Sequence, residues 1–160
     1  MKKKYHSYEE ALNKLQAYCV YQERCHKEVR QKLRDLGIWG EEVDEIISEL
    51  ITDNFLNELR YAKAFAGGKF RVKQWGRKRI VQALKFNQVS AYSIKKALQS
   101  ELPAEEYEQT LCQVLEKKNQ LLKEANPYKR RQKLAKYAQD KGFENFLIWE
   151  ILNRDYNHKK

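Results

Sequence analysis

A pattern that recurs three times in 160 residues restricts this chain to repeat architectures. It runs apolar residue, bend, apolar residue, then two further apolar positions. The copies are Leu33, Gly37, Ile38, Val43, Ile47; Leu84, Gln88, Val89, Ile94, Leu98; and Ala138, Gly142, Phe143, Ile148, Leu152, at offsets of 51 and 54 residues. Self-similarity at that period implies units too small to hold a core alone, so that neighbours share apolar faces. With only 6 Gly and 2 Pro in a chain that is 34% charged, a many-stranded sheet would lack turn-formers. The reading is all-α: tandem three-helix repeats, three in number with about nine helices, stacked into an elongated curved array.

Start and stop signals divide the chain into repeats at 1–52, 53–101 and 102–160. Ser7-Tyr8-Glu9-Glu10 is a capping-box sequence opening a helix with Ala11, Leu12, Leu15 and Cys19 on one face. A second helix over about 25–36 buries Val29, Leu33 and Leu36 and stops at Gly37, the residue type best suited to a left-handed conformation. A third runs from about Glu41 to Ile51, with Glu41, Glu42 and Asp44 at the positive end of its dipole. The second repeat opens near Asp53 with Phe55, Leu59, Ala62 and Phe65, pauses at a flexible Gly67-Gly68 joint, and resumes from Gly76 through Ile80 and Leu84. Ser90 caps its last helix. In the third repeat Pro103 starts a long helix bearing Tyr107, Leu111, Val114, Leu115 and Leu122, Asn126-Pro127 starts the next, and Gly142 ends it.

The formal charge of +10 is unevenly placed. Residues 1–58 carry 9 basic and 12 acidic side chains, residues 59–100 carry 11 and none, and residues 101–160 carry 12 and 10. Excluding every carboxylate from 42 consecutive residues suits a surface that meets phosphates or an acidic partner. Its densest part is Lys69-Phe70-Arg71-Val72-Lys73-Gln74-Trp75-Gly76-Arg77-Lys78-Arg79, six cations in 11 residues. Their charge-assisted hydrogen bonds suit phosphate oxygens, and the helix start at Gly76 adds exposed backbone N–H groups and a positive dipole end. Phe70 and Trp75 are able to stack on unpaired bases or to anchor the loop. Packing is the favoured reading for Trp75, because a large aromatic beside a helix start usually packs. A second basic stretch, Lys129-Arg130-Arg131-Gln132-Lys133 with Lys136, lies on the equivalent helix of the third repeat and either extends the same track or is a solvated face. The candidate filament- or nucleic-acid-binding set is therefore Lys69, Arg71, Lys73, Trp75, Arg77, Lys78, Arg79, Lys85, Lys129, Arg130, Arg131, Lys133 and Lys136.

Catalytic and metal chemistry find no support in the sequence. Glu9-Glu10, Glu41-Glu42 and Glu105-Glu106 stand in first helical turns, where the dipole explains them. Cys25-His26, His6 and His158 lack ligand spacing, Gly67-Gly68 lacks the rest of a phosphate-loop motif, and Cys19, Cys25 and Cys112 are odd in number with no CxxC, which reads as reduced thiols. The expectation is a non-enzyme without catalytic residues, metal or cofactor. The basic stretch Met1–Ser7 is followed by no apolar run of signal-peptide length, and no segment approaches the roughly 20 apolar residues that cross a bilayer. That predicts a cytoplasmic protein with no membrane partner. Monomer is the default, since neighbouring repeats account for the apolar stripes.

Over residues 8–154 the chain resembles the RecX family. The resemblance is carried by Leu50-Ile51-Thr52-Asp53-Asn54-Phe55, by Arg60-Tyr61-Ala62-Lys63-Ala64-Phe65, and by Gly76-Arg77-Lys78-Arg79-Ile80 with Leu84 and Val89. The first repeat adds Ala11-Leu12, Arg24, Glu28, Leu33 and Gly37-Ile38. Three features depart from the family: Cys25 stands where Ser is usual, which predicts a frayed helix start, Gln88 stands where Gly is frequent, and Asp53 alone occupies a junction that commonly holds two acidic residues. The resemblance implies a regulator that lodges in the groove of a RecA filament on single-stranded DNA and modulates, chiefly inhibits, its recombinase and ATPase activity in DNA repair and recombination and the SOS response.

The competing reading is a stand-alone helical DNA-binding protein acting without RecA, since a helix–turn–helix at Leu84–Leu98 and the carboxylate-free segment 59–100 equally suit direct duplex binding, with single-stranded DNA as a further partner. Binding through about five phosphates then gives a log–log salt slope of about −4 to −5 with no partner present. A helical scaffold with no nucleic-acid role predicts instead that neutralising Arg71, Lys73, Arg77 and Arg79 alters nothing but solubility.

Overall fold

The computed structural model describes residues 6–156; the basic residues 1–5 and His158 lie outside them. Among the described residues there are nine α-helices and no strand. They are α1 (Tyr8–Tyr21), α2 (His26–Asp35), α3 (Glu41–Thr52), α4 (Glu58–Arg71), α5 (Arg77–Phe86), α6 (Ala91–Glu101), α7 (Ala104–Leu121), α8 (Pro127–Asp140) and α9 (Asn145–Asp155). None is long and apolar enough to cross a membrane.

The threefold pattern is reproduced in backbone hydrogen bonds. Gly37, Gln88 and Gly142 all adopt left-handed conformations, with φ of 81°, 62° and 100°. In each copy the next residue donates back to the carbonyl five positions earlier: Ile38 to Leu33 at 2.9 Å, Val89 to Leu84 at 3.0 Å, Phe143 to Ala138 at 3.2 Å. These are Schellman closures that satisfy the last carbonyls of α2, α5 and α8 and fold the following apolar residue back onto the helix. Ile38, Val89 and Phe143 are accordingly buried.

Two compact units are formed, and α4, α5 and α6 each give one end to either unit. Unit one comprises Met1–Ala64 and Leu84–Lys96. Here α1, α2 and α3 pack around Ala11, Leu15, Cys19, Val29, Leu33, Ile46 and Leu50. Ser7 Oγ caps α1 by accepting from the Glu10 N–H at 3.2 Å. The Cys25 start of α2 does not fray as expected: the Cys25 N–H donates to Glu28 Oε1 at 3.1 Å and the Cys25 side chain faces the Glu28 N–H, a reciprocal capping box in which the carboxylate supports a weak sulfur acceptor. Burial pushes the thiols of Cys25 and Cys19 up, Cys19 to about 11, and the three cysteines are unpaired.

Unit two comprises Phe65–Ala83 and Ala97–Lys160. Its core joins α7, α8 and α9 through Leu111, Leu115, Leu134, Ala138, Ile148 and Leu152, and stacks Phe70, Tyr107 and Phe143 with ring centroids 5.9 and 5.1 Å apart. Leu122 falls just past the end of α7 rather than within it.

Two sequence expectations are overturned in the second repeat. Phe55 does not share a helix with Leu59, Ala62 and Phe65; it lies between α3, which Asp53 closes, and α4. Asn54 turns left-handed at φ 63°, Phe55 donates to the Leu50 carbonyl at 2.8 Å, and Asn57 Oδ1 caps α4 by accepting from Arg60 N at 2.9 Å. Nor does the chain pause at Gly67-Gly68, since α4 runs through both to Arg71. Two helical glycines cost about 2 kcal/mol together relative to alanine. Burying the Phe70 ring contributes roughly 2–3 kcal/mol, and the Arg71 guanidinium folds over the bare Gly67 backbone, where a Cβ would collide with it.

A non-glycine residue in the left-handed region costs about 1 kcal/mol. Gln88→Gly therefore raises unfolding stability by about that amount, read as a higher urea midpoint with an unchanged slope.

Candidate nucleic-acid interface

Residues 69–79 span the last turn of α4, a short loop and the first turn of α5, and lie entirely in unit two. Their position is set by how the start of α5 meets the α8–α9 turn. Gly76 N–H donates to the Lys141 carbonyl at 2.8 Å and Lys78 N–H to the Gly142 carbonyl at 3.0 Å. Between them Arg77 N–H donates to the Tyr107 hydroxyl at 3.0 Å. A Cβ on Gly76 would overlap the Gly142 carbonyl and the Phe143 nitrogen, and one on Gly142 would overlap the Arg79 backbone. The approach thus requires glycine on both sides, and at Gly142 the positive φ requires it as well.

Around this contact Tyr107 donates its hydroxyl to Glu144, and the same carboxylate takes the Arg77 guanidinium at 2.7 Å. Arg77 also lies 3.8 Å above the Tyr107 ring. Burial, with the Glu144 carboxylate beside it, holds the Tyr107 hydroxyl above the phenol range. The expectation of exposed N–H groups at Gly76 is therefore corrected. Those of Gly76, Arg77 and Lys78 are satisfied within the protein, so the helix start offers them to no phosphate.

The cationic side chains divide into two sets. Arg77 is half-buried in its pair with Glu144. Arg71 lies over Gly67 and reaches Glu101 at 3.8 Å. Trp75 is half-buried, edge-on to Phe65 at 6.4 Å, with Lys69 and Arg79 placed 4.9 and 4.2 Å from its ring. Lys73 and Lys78 are exposed, and their side chains form no hydrogen bond or ion pair among the described residues.

In the second basic stretch Arg130 is a structural residue. Its guanidinium binds the carbonyls of Asn119, Leu122 and Glu124 at 2.8–2.9 Å and so closes the α7–α8 connection. Lys133 pairs with Glu124 at 2.9 Å and Lys136 with Asp140 at 3.6 Å. Lys129 and Arg131 have no ion pair among the described residues. Lys85 is exposed on the last turn of α5 and belongs to unit one.

Lys141 and Lys117 escaped the sequence reading. Lys141 Nζ donates to the Lys73 carbonyl at 3.0 Å, and its pKa is lowered, first by burial and then by Arg79, Lys117 and Lys73. A lysine pressed by three cations marks positive potential that no carboxylate has cancelled. The repeat register was the available signal: Lys141 precedes the left-handed residue as Leu36 and Asn87 do in the earlier copies, and a cation at that position has no packing reason. Among the described residues no group of three or more His, Cys, Asp or Glu is placed to hold a metal ion.

Gly76→Ala should cost about 3 kcal/mol through the forced separation of the two backbones. Gly68→Ala has open space and should be neutral to stabilising by up to about 1 kcal/mol. Thermal unfolding of the two variants checks both signs.

Two family models match the chain, the second three-helix domain of RecX over residues 57–98 and the third over residues 105–152. The regulatory protein RecX of Prosthecochloris aestuarii is 30% identical over 146 residues, covering 89% of this chain and 91% of that protein. The Clostridium perfringens strain 13 protein of the same name is 30% identical over 139 residues, 83% of this chain, and the chain spans only 64% of its length. In fold, the crystal structure of RecX from Lactobacillus salivarius superimposes with a TM-score of 0.81 at 24% identity, over 92% of this chain and 95% of that one. A second crystal structure, of a regulatory protein RecX, gives 0.83 at 20% identity, over 92% and 73%.

Proposed function

The chain belongs to the RecX family, and on that premise we propose that it binds the RecA filament on single-stranded DNA and inhibits its recombinase and ATPase activity without catalysing a reaction itself. The observation that carries this reading is the crowd of cations around Lys141. Burial first, and then Arg79, Lys117 and Lys73, depress its pKa, and Lys73 and Lys78 project from the same loop and helix start without partners among the described residues. Such a surface gains most when phosphates or an acidic protein face neutralise it.

The division of cations refines what meets the filament. Lys73, Lys78, Arg79, Lys117 and Lys141 form the contact set, with Lys129 and Arg131 added from α8. Arg77 and Arg130 act through the fold, by holding α5 on the α8–α9 turn and by closing the α7–α8 connection. The protein works as a monomer in the cytoplasm, and DNA is the secondary part of its contact. Bound along the groove between adjacent recombinase protomers, it blocks subunit addition, so the filament loses subunits faster than it gains them.

The test is RecA ATP hydrolysis on single-stranded DNA, titrated with wild type and with Lys73→Ala/Lys78→Ala/Arg79→Ala. The expected outcome is suppression at substoichiometric wild-type protein and at least tenfold more triple variant for the same effect, with unfolding midpoints unchanged. Equal potency of the two proteins would remove the basic loop from the contact. No suppression by either, with tight partner-free DNA binding, would support a stand-alone DNA-binding protein instead.

A further inference from the structure

The first 58 residues are net acidic, yet α2 carries a cationic stripe. Lys27, Arg30 and Arg34 recur at i, i+3 and i+7 on one face, a line about 10 Å long, and Lys32 stands apart from them on the helix, beyond Glu28, Gln31 and Asp35. The face borders an open groove of about 480 Å³ whose lining includes Tyr18, Lys27, Arg30, Lys32, Arg34 and Phe86, all within unit one. Phe86 is 74% exposed at the end of α5. It is held in place: Lys27 Nζ donates to the Phe86 carbonyl at 3.0 Å and sits 3.7 Å from the ring centroid. At the other end of the groove Lys32 Nζ lies 5.5 Å from the Tyr18 ring.

Glu28 and Asp35 also line the groove, so its four cations exceed its carboxylates by two. Glu28 is engaged with the Cys25 N–H and lies 3.8 Å from Arg24, and Asp35 accepts from the Gln31 amide. Arg30 meets Asp44 at 3.1 Å, but both side chains are exposed, and such a pair is worth little. Gln88 also lines the groove and brings an amide donor and acceptor, whereas the Gln31 amide is taken up by Asp35 and Arg34.

We propose that this groove is a second nucleic-acid site, which takes one nucleotide of a single strand with its base against Phe86 and its phosphates along Lys27, Arg30 and Arg34. An exposed ring beside a row of cations is the combination that sequence-tolerant single-strand binding uses. An exposed ring finds a stacking partner in any base, whereas the Asp and Glu side chains of an acidic peptide offer it none. The site lies apart from the Lys73–Lys141 cluster in sequence and belongs to a different unit. It deepens the proposed function by placing DNA on a surface of its own, and it rests on that reading only for the biological setting.

The probe is fluorescein-labelled oligo(dT), followed by anisotropy at low salt without RecA, against wild type, Phe86→Ala, Lys27→Gln/Arg34→Gln and Lys73→Ala/Lys78→Ala/Arg79→Ala, all with unfolding midpoints recorded. A bromodeoxyuridine version is photocrosslinked and mapped by mass spectrometry. Phe86→Ala should weaken binding about five- to tenfold, the Lys27/Arg34 variant should lower the salt slope by about two, and the crosslink should fall on Phe86 or Tyr18. Full affinity in Phe86→Ala with loss confined to the Lys73/Lys78/Arg79 variant would overturn the inference and leave the proposed function standing. Displacement of the oligonucleotide by octaglutamate at lower concentration than by unlabelled oligo(dT) would also overturn it, in favour of an acidic peptide. Binding unchanged in every variant would count against both surfaces.

Discussion

The backbone contact between Gly76 and the Lys141-Gly142 turn fixes the placement of the basic segment. Two main chains approach there to a distance that admits no Cβ on either side, and three successive N–H groups at the start of α5 find acceptors in the carbonyls of Lys141 and Gly142 and the hydroxyl of Tyr107. A helix start normally leaves such donors to water or to a ligand. Here the protein uses them itself, and the Tyr107, Glu144 and Arg77 group closes over the junction.

That choice shapes the chemistry left for a partner. Backbone amides at a helix start would give a rigid site for a single phosphate, with fixed geometry. Lysine and arginine side chains on a firmly docked loop give positive charge whose position adjusts over several ångströms. A regulator that meets a repeating polyanionic surface is better served by the second arrangement. Once Arg77 and Arg130 are bound to interior acceptors, the cations left for the proposed contact are side chains such as Lys73 and Lys78, whose loss should not unfold the protein.

Most of the fold was legible because its punctuation is local. Gly37 and Gly142 mark the ends of α2 and α8, and the pattern of apolar residues around them located the equivalent turn at Gln88 although glutamine gives no left-handed signal of its own. Local reasoning failed where a distant residue decides. Gly67-Gly68 looks like a joint until Phe70 is seen buried beyond it, and Gly76 looks like an open helix start until Gly142, far along the chain, is placed against it. Cys25 looked like a weak cap because the compensating group is the Glu28 carboxylate, whose aim depends on the helix having formed. Charge sums found the central basic segment but missed Lys141, a single residue in a balanced stretch, and the α2 stripe, hidden in a net-acidic third of the chain and visible only on a helical projection.

Amide hydrogen exchange at Gly76, Arg77 and Lys78, measured residue by residue with and without single-stranded DNA, tests the central claim most directly. If α5 is docked as described, these three amides exchange only with unfolding of unit two, as slowly in the free protein as the core amides of α8, and DNA slows them no more than it slows those core amides, while side-chain signals of Lys73 and Lys78 shift. Fast exchange in the free protein, slowed on adding DNA, would mean that the helix start is open and that its backbone binds phosphate, contrary to this account.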